Sequence, residues 1–526
     1  MNRKIAFAMA LIPMMLLSTM ALTSITFAQP KIKIGIIGPV GLPHWEPAGM
    51  KPAAELAAKE INDAGGIKVG GTYYQIELLF ENEWAIDPEN EYRPNPTKAV
   101  QAVTNLLQQG AQFIIGGFRT EVTDPIIETV MDWNEDPGHT PVLFFINGAS
   151  TDWLCRDLTK PENYTRYKYV FRNMPINSTA LFRSFCAYIR YYLIGKLLKM
   201  YGNPVKFAVL LEDLEWTLPM EGPLTVYYPY VLGPNVTLVY YARVPETATD
   251  FSTWLTGVKN SGARLMIFVF SGRPGHPLIK QWCENEVPAI PVGINVLGQL
   301  QEHWPITEGK CEYEVVLNPY GTRTPIVPGY TEVFWDKFLA YTKQKYGEEK
   351  WPIYTAAGAY DSIYSLKQAI EAVGSLDPDA LISYLEGAEY TAMTGLFRYT
   401  TNHDIYTKDF GPFWPVIDDL PYGITRGEMV QWVDGVMNVV SPIDKPYSRK
   451  TLIPPWMYPL ADVDLNFDGK VDIFDIVQVG ITFGSKAGEP EYNLEADVDA
   501  SGEIDIFDCV KIAIKFGEEA PQWPLP

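Results

Sequence analysis

Apolar runs alternate with helical stripes along most of the chain. Ile32-Lys33-Ile34-Gly35-Ile36-Ile37 reads as a strand buried on both faces. A glycine-punctuated turn, Gly38 to Trp45, follows it. Between Pro47 and Asn62, Ala53, Ala57 and Ile61 recur at i, i+4 and i+8, one face of a helix that the pair Gly65-Gly66 stops. Tyr74–Phe80 reads as the next strand. Asn95-Pro96 opens a helix carrying Val100, Val103 and Leu107. Phe113–Gly117 and Val142–Ile146 are further strands, the last ending at Asn147-Gly148-Ala149-Ser150. Strands alternating with helices predict a parallel sheet. Ligands of such sheets sit beyond the carboxyl ends of the strands. Those ends hold Trp45, Thr120 and Ser150.

A second alternating pattern begins after Arg172. A helix is predicted over Ala180–Met200, and strands over Val205–Leu211, Val236–Tyr241, Leu265–Phe270, Ala289–Gly293 and Glu314–Leu317. Helical spacing returns at Val333–Tyr346, Thr355–Val373 and Asp379–Glu386. A hairpin closes the region, Val430–Trp432 with Met437–Val440 about Asp434-Gly435. Five prolines between Ser441 and Pro459 predict a semi-rigid linker, residues 442–460, that passes little cooperativity.

Composition narrows the class. A chain of 526 residues needs more than one core. A net charge of −21 disfavours nucleic acid as a partner. Residues 1–28 have the build of a signal peptide. Asn2-Arg3-Lys4 precedes an apolar stretch, and Thr26-Phe27-Ala28 offers a cleavage site; retention as a membrane anchor is the alternative. Export to the cell surface or medium is the expectation, and the sequons at Asn163, Asn177 and Asn235 agree with it. Disulfides Cys155–Cys186 and Cys283–Cys311 are one reading of the five cysteines, and buried thiols the other.

The most specific signal is a repeat. Asp472-Ile473-Phe474-Asp475 recurs as Asp505-Ile506-Phe507-Asp508, and Phe483-Gly484 as Phe516-Gly517, each at an offset of 33 residues. Before each Asp-Ile-Phe-Asp lies a run of alternating oxygen donors around a glycine. The first set is Asp464, Asn466, Asp468, Lys470 (through its carbonyl), Asp472 and Asp475. The second is Asp497, Asp499, Ser501, Glu503, Asp505 and Asp508. A hard dication takes six or seven oxygens from such a loop, so two calcium ions are expected. Ser501 is the weaker donor and makes the second site the weaker one. Residues 461–520 carry 15 Asp and Glu against 4 Lys. With Asp at the twelfth position and only the helix after each loop, the module resembles a type I dockerin. That resemblance implies docking to a cohesin-like module through helices Ile473–Phe483 and Ile506–Phe516. Ile473, Phe474, Ile506 and Phe507 are expected to pack those helices together. Cys509, aligned with Ile476, is expected in the core.

Residues 31–442 resemble the Leu/Ile/Val-binding type of extracellular solute receptor. The carriers are Ile34–Pro39, Glu55–Gly66, Asn95–Val103, Phe113–Gly117 and Ala357–Ala369. The resemblance implies the type 1 periplasmic-binding-protein fold. That is an α/β molecule of two parallel-sheet lobes joined by three crossovers, here followed by a small all-α calcium-binding domain. Lobe 1 would take residues 31–172 and 320–398, and lobe 2 residues 173–319 and 399–441 of a binding domain spanning 29–441. Crossovers would fall near Arg172–Pro175, Val316–Tyr320 and Gly395–Thr401. Thr120, Ser150 and the backbone of Gly148 would bind a ligand carboxylate. Trp45 and Trp216 (or Thr217) would close over it. Asn295 would stand where the family places an acid for the α-amino group, and Arg119 would favour an anion. The implied function is a non-enzymatic receptor delivering an amino-acid-like or amide ligand to an ABC permease. The rivals are a scaffold-borne hydrolase and a ligand-free surface protein. Neither Gly-x-Ser-x-Gly nor His-Glu-x-x-His occurs.

Overall fold

The structure is a computed structural model. It describes residues 29–43, 45–86, 92–174, 177–320, 322–393, 395–399, 402–407, 427–443 and 445–520, so the expected signal peptide, residues 1–28, lies outside it. Lobe 1 is built on a six-stranded sheet. Its order is Ile67–Val69, Thr72–Asn82, Lys31–Gly38, Phe113–Gly116, Leu143–Asn147 and Val170–Met174. The last five strands run parallel. Ile34 and Ile36 face one core and Ile37 and Ile114 another, which is why these strands are apolar throughout. Helices Met50–Asp63 and Tyr354–Val373 cover the first face, and Pro96–Gln108 and Thr120–Glu135 the second.

Lobe 2 has seven strands, in the order Val236–Val244, Val205–Glu212, Leu265–Phe270, Ile290–Asn295, Val315–Asn318, Glu428–Val433 and Val436–Ser441. The first five are parallel and the hairpin at the end is antiparallel. The helix expected over 180–200 is interrupted by a π-turn at Ile189–Leu193.

Two expectations about connectivity need correction. Gly395–Tyr399 is not a crossover but the middle strand of a three-stranded antiparallel sheet, with Tyr390–Ala392 and Ile405–Thr407. It packs on lobe 1. Tyr399 meets Phe171 at 4.8 Å, His403 stacks on Phe171 at 4.0 Å, and Arg172 Nε donates to Asp404 Oδ1 at 2.6 Å. Lobe 1 therefore runs past residue 398. The return to lobe 2 falls between Thr407 and Glu428, largely outside the described residues.

The segment expected as a linker also lies against lobe 2. Gln431 exchanges hydrogen bonds with the Leu452 backbone at 2.8 and 2.9 Å. Lys196 Nζ donates to Thr451 O at 2.9 Å, and Trp456 Nε1 to Val287 O at 3.1 Å. Prolines there forbid a helix, but the residues around them, Ile453, Tyr458 and Leu460, are buried and fix the segment in place.

In the C-terminal module the helices are Ile473–Ile481 and Ile506–Ile514, around Val471, Val479, Ile504 and Ile512. Ile473, Phe474, Ile506 and Phe507 do not join them; they are 54–61% exposed. The physical reason is helical phase. Asp475 turns inward to its loop, so Val479 one turn later is buried, and the residues just before Asp475 point outward. Cys509 is half-buried against the core, like Ile476. All five cysteines are free, so neither expected disulfide forms. Cys155 and Cys186 lie in different cores, and burial pushes both thiols up.

Candidate functional site

Between the lobes lies a cleft partly open to solvent. Lobe 1 contributes the two turns after Phe113–Gly116 and Leu143–Asn147, with Phe118, Arg119, Thr120, Gly148 and Ser150 on the wall. These turns touch. A Cβ on Gly148 would stand 2.5 Å from Gly117 O, so only glycine lets them meet. Thr120 begins helix Thr120–Glu135, and its hydroxyl shares a 2.5 Å hydrogen bond with that of Thr151. Ser150 Oγ lies 3.3 Å from Ser178 Oγ, which donates to Trp216 O at 3.1 Å. Lobe 2 supplies Leu181, Trp216, Ser271, Ile294, Val296 and Gln299. Leu317, Pro319 and Tyr354 close the hinge side. The cleft is thus an apolar slot with hydroxyls and a helix N-terminus at its lobe 1 edge, the setting that suits a carboxylate.

Arg119 is less available to an anion than expected. Its Nη2 donates to Glu246 of lobe 2 at 2.7 Å, and Glu121 lies 3.4 Å from Nε. Burial works against its charge, but Glu121, Glu212 and Glu246 hold the guanidinium above its ordinary value. It serves as a latch across the mouth, together with Trp153 Nε1 donating to Glu215 at 3.1 Å.

Asn295 requires a correction. It is fully buried behind the cleft, where Nδ2 donates to Glu314 at 2.8 Å and its Oδ1 would collide with any side chain at position 275. Trp45 stands behind Phe118, ring centroids 5.1 Å apart, in a cluster with Trp84 rather than on the wall. Thr217 is buried, its hydroxyl donating to Glu212 O at 2.8 Å.

Sequence reasoning gave no role to Glu212, which stands directly behind the cleft wall. Its Oε2 accepts from Ser271 N at 2.8 Å, Ser271 Oγ at 2.6 Å and Trp216 Nε1 at 3.3 Å, while Oε1 has no hydrogen-bond partner. Burial pushes its carboxyl up, against the pull of Arg119. It backs two wall residues, Ser271 and Trp216. The end of an apolar strand was the available signal.

The C-terminal loops form a second candidate site. Asp497, Asp499 and Asp508 bring carboxylate oxygens within 4.8 Å of one another. Their backbone frame repeats in the first loop. Gly502 N donates to Asp497 at 2.8 Å as Gly469 N does to Asp464, and Asp505 N to Asp508 at 2.8 Å as Asp472 N does to Asp475. Gly469 and Gly502 have φ of 90° and 88°, which favours glycine. Asn466 stands where the second loop has Asp499, and Asp468 where it has Ser501, so each loop carries four aspartates. The donor set fits a hard cation such as calcium.

Comparison with known proteins places this geometry. The chain is 23% identical over 393 residues to the leucine-, isoleucine-, valine-, threonine- and alanine-binding protein of Pseudomonas aeruginosa, covering 74% of this chain and 90% of that one. Its fold is similar to an isoleucine-bound branched-chain amino acid transporter binding protein from Streptococcus pneumoniae, with TM-score 0.58 and 18% identity over 78% of this chain and 100% of that one. It is also similar to a Rhodopseudomonas palustris solute-binding protein in complex with 4-hydroxybenzoate, with TM-score 0.54 and 18% identity over 78% and 95%. The periplasmic binding protein family matches residues 31–408, most of the chain, and to that family this protein belongs.

Proposed function

We propose that the chain is the extracytoplasmic receptor of an ABC-type importer. It binds a small amino-acid-like or amide carboxylate with an apolar or aromatic body between its lobes, and it is not an enzyme. The observation that carries this reading is the cleft itself, where Thr120 and Ser150 from two strand-ends of lobe 1 share one apolar cavity with Trp216 of lobe 2. The relatives' names support it: one is called an amino-acid-binding protein, and a solved relative holds isoleucine. Aromatic acids are the second reading, favoured by Phe118, Trp216 and Tyr354 on the wall. The two C-terminal loops hold two calcium ions in a dockerin-type module, which docks to a cohesin-like partner on the cell surface. The matching loop frames and the outward apolar helix faces support that part.

The test is a calorimetric and thermal-shift screen of amino acids, amides and aromatic acids. Replacing Thr120 and Ser150 together with Ala removes two hydrogen bonds to a charged group, each worth roughly 1.5–3 kcal/mol. Affinity is expected to fall tens of fold or more. A folded double variant that binds as well as the parent refutes the cleft assignment.

A further inference from the structure

One polar group on the cavity wall is left without a partner. Gln299 ends the short 3-10 turn Leu297–Gln299 that follows strand Ile290–Asn295. It is 1% exposed and lines the cavity from lobe 2. Its Nε2 donates to the Leu317 carbonyl at 3.4 Å, while Oε1 has no hydrogen-bond partner. The Leu317 carbonyl only accepts, so it holds the amide with its nitrogen toward the chain. That leaves Oε1 as an acceptor for whatever fills the slot. Buried acceptors find donors, and a ligand that covers this one without satisfying it loses affinity.

The neighbours define the kind of donor. Ile294, Val296, Leu317 and Pro319 also form this side of the cavity. A neutral amide oxygen in apolar surroundings does not compensate a full positive charge. The wall therefore suits a hydroxyl or a carboxamide N–H rather than an ammonium group, whose electrostatic complement is Glu212 behind Trp216 and Ser271. We propose that Gln299 determines the specificity of the cleft, selecting a small carboxylate whose apolar body carries a neutral hydrogen-bond donor over the same body without it. The inference rests on the carboxylate reading above and goes further by naming the group that tells related ligands apart.

The experiment is titration calorimetry on the full chain with three matched pairs: valine and threonine, phenylalanine and tyrosine, benzoate and 4-hydroxybenzoate. In at least one pair the hydroxylated member should bind about ten-fold tighter or more, a discrimination typical of a buried polar group left unpaired by the poorer ligand. In Gln299→Leu, and in the closer-shaped Gln299→Met, that ratio should fall to about one. Circular dichroism and melting identify which variant is folded. If the pairs bind without discrimination, or the ratio survives in a folded variant, the assignment to Gln299 is overturned. If no probe binds at all, the carboxylate reading beneath it fails as well.

Discussion

Glu83 follows strand Thr72–Asn82 and lies fully buried beneath the aromatic cluster of the cleft. One oxygen accepts from Phe118 N at 2.8 Å, and the other has no hydrogen-bond partner. Burial pushes its carboxyl from 4.5 up to about 8. Between these values the folded chain keeps a proton that the unfolded chain has lost. Stability is therefore fully present below about pH 4.5 and falls as pH rises toward 8. A ten-fold change in proton affinity is about 1.4 kcal/mol, so the loss is on the order of 5 kcal/mol. Asp361, pushed up to about 7 by burial, acts in the same direction. Glu83→Gln keeps an oxygen for Phe118 N and removes the titration. Thermal melts at pH 5 and pH 8 should show the variant gaining on the parent only at the higher pH. Equal melting of the two proteins at pH 8 would contradict the burial argument. No pattern of neighbours marked Glu83, because a buried acid in a sequence looks like any exposed one.

At the scale of elements, apolar periodicity found the seven strands of the lobe 2 sheet and four of the six in lobe 1, but not Ile67–Val69, Val170–Met174 or helix Thr120–Glu135. It did not find the end of lobe 1, because Gly395–Tyr399 reads equally well as a strand or as an extended crossover. It also misjudged the two C-terminal helices. Ile481 and Ile514 are 70% and 72% exposed, and Phe483 and Phe516 lie beside them at 54% and 53%, so each helix carries the same outward apolar face. Exposed clusters of this size mark interaction surfaces. Ile481→Asp with Ile514→Asp should shift stability by less than about 0.5 kcal/mol, the range of surface substitutions. If the module docks as proposed, the same change should reduce capture by a cohesin-like module. Melting curves and sedimentation velocity check both halves. A large fall in melting temperature would show that these faces are core after all.

At the scale of the molecule, the C-terminal module is fastened to lobe 2 rather than trailing from it. Lys196, 6% exposed at its side chain, pairs with Glu495 at 2.9 Å, and Tyr192 donates to the same carboxylate. Phe467 packs beneath Lys196 and Lys199 at 5.9 and 5.7 Å from its ring centroid. Glu495 lies two residues before Asp497, the start of the second loop. If the loops hold calcium as proposed, chelation should lower the melting of lobe 2 together with that of the module. Glu495→Ala should cost roughly 1.5–3 kcal/mol by leaving the Lys196 ammonium with only the Thr451 carbonyl. Differential scanning calorimetry of the full chain, with calcium and with chelator, separates the cases. A lobe transition indifferent to both changes would restore the picture of an independent module.

The sequence by itself determined what depends on neighbours along the chain. That includes the alternating strands and helices of both lobes, the strand-end turns carrying Thr120, Gly148 and Ser150, and the duplicated loops with their glycines. These signals are local because backbone conformation and side-chain phase repeat every two or 3.6 residues. Only the tertiary structure decided which strand ends face one another. It turned Asn295 away to Glu314, spent Arg119 on Glu246, brought Gln299 to the wall and laid the proline-rich segment on lobe 2. Each of those outcomes is a contact between residues far apart in the chain, set by how two lobes and a module share buried surface, and no spacing in the sequence encodes it.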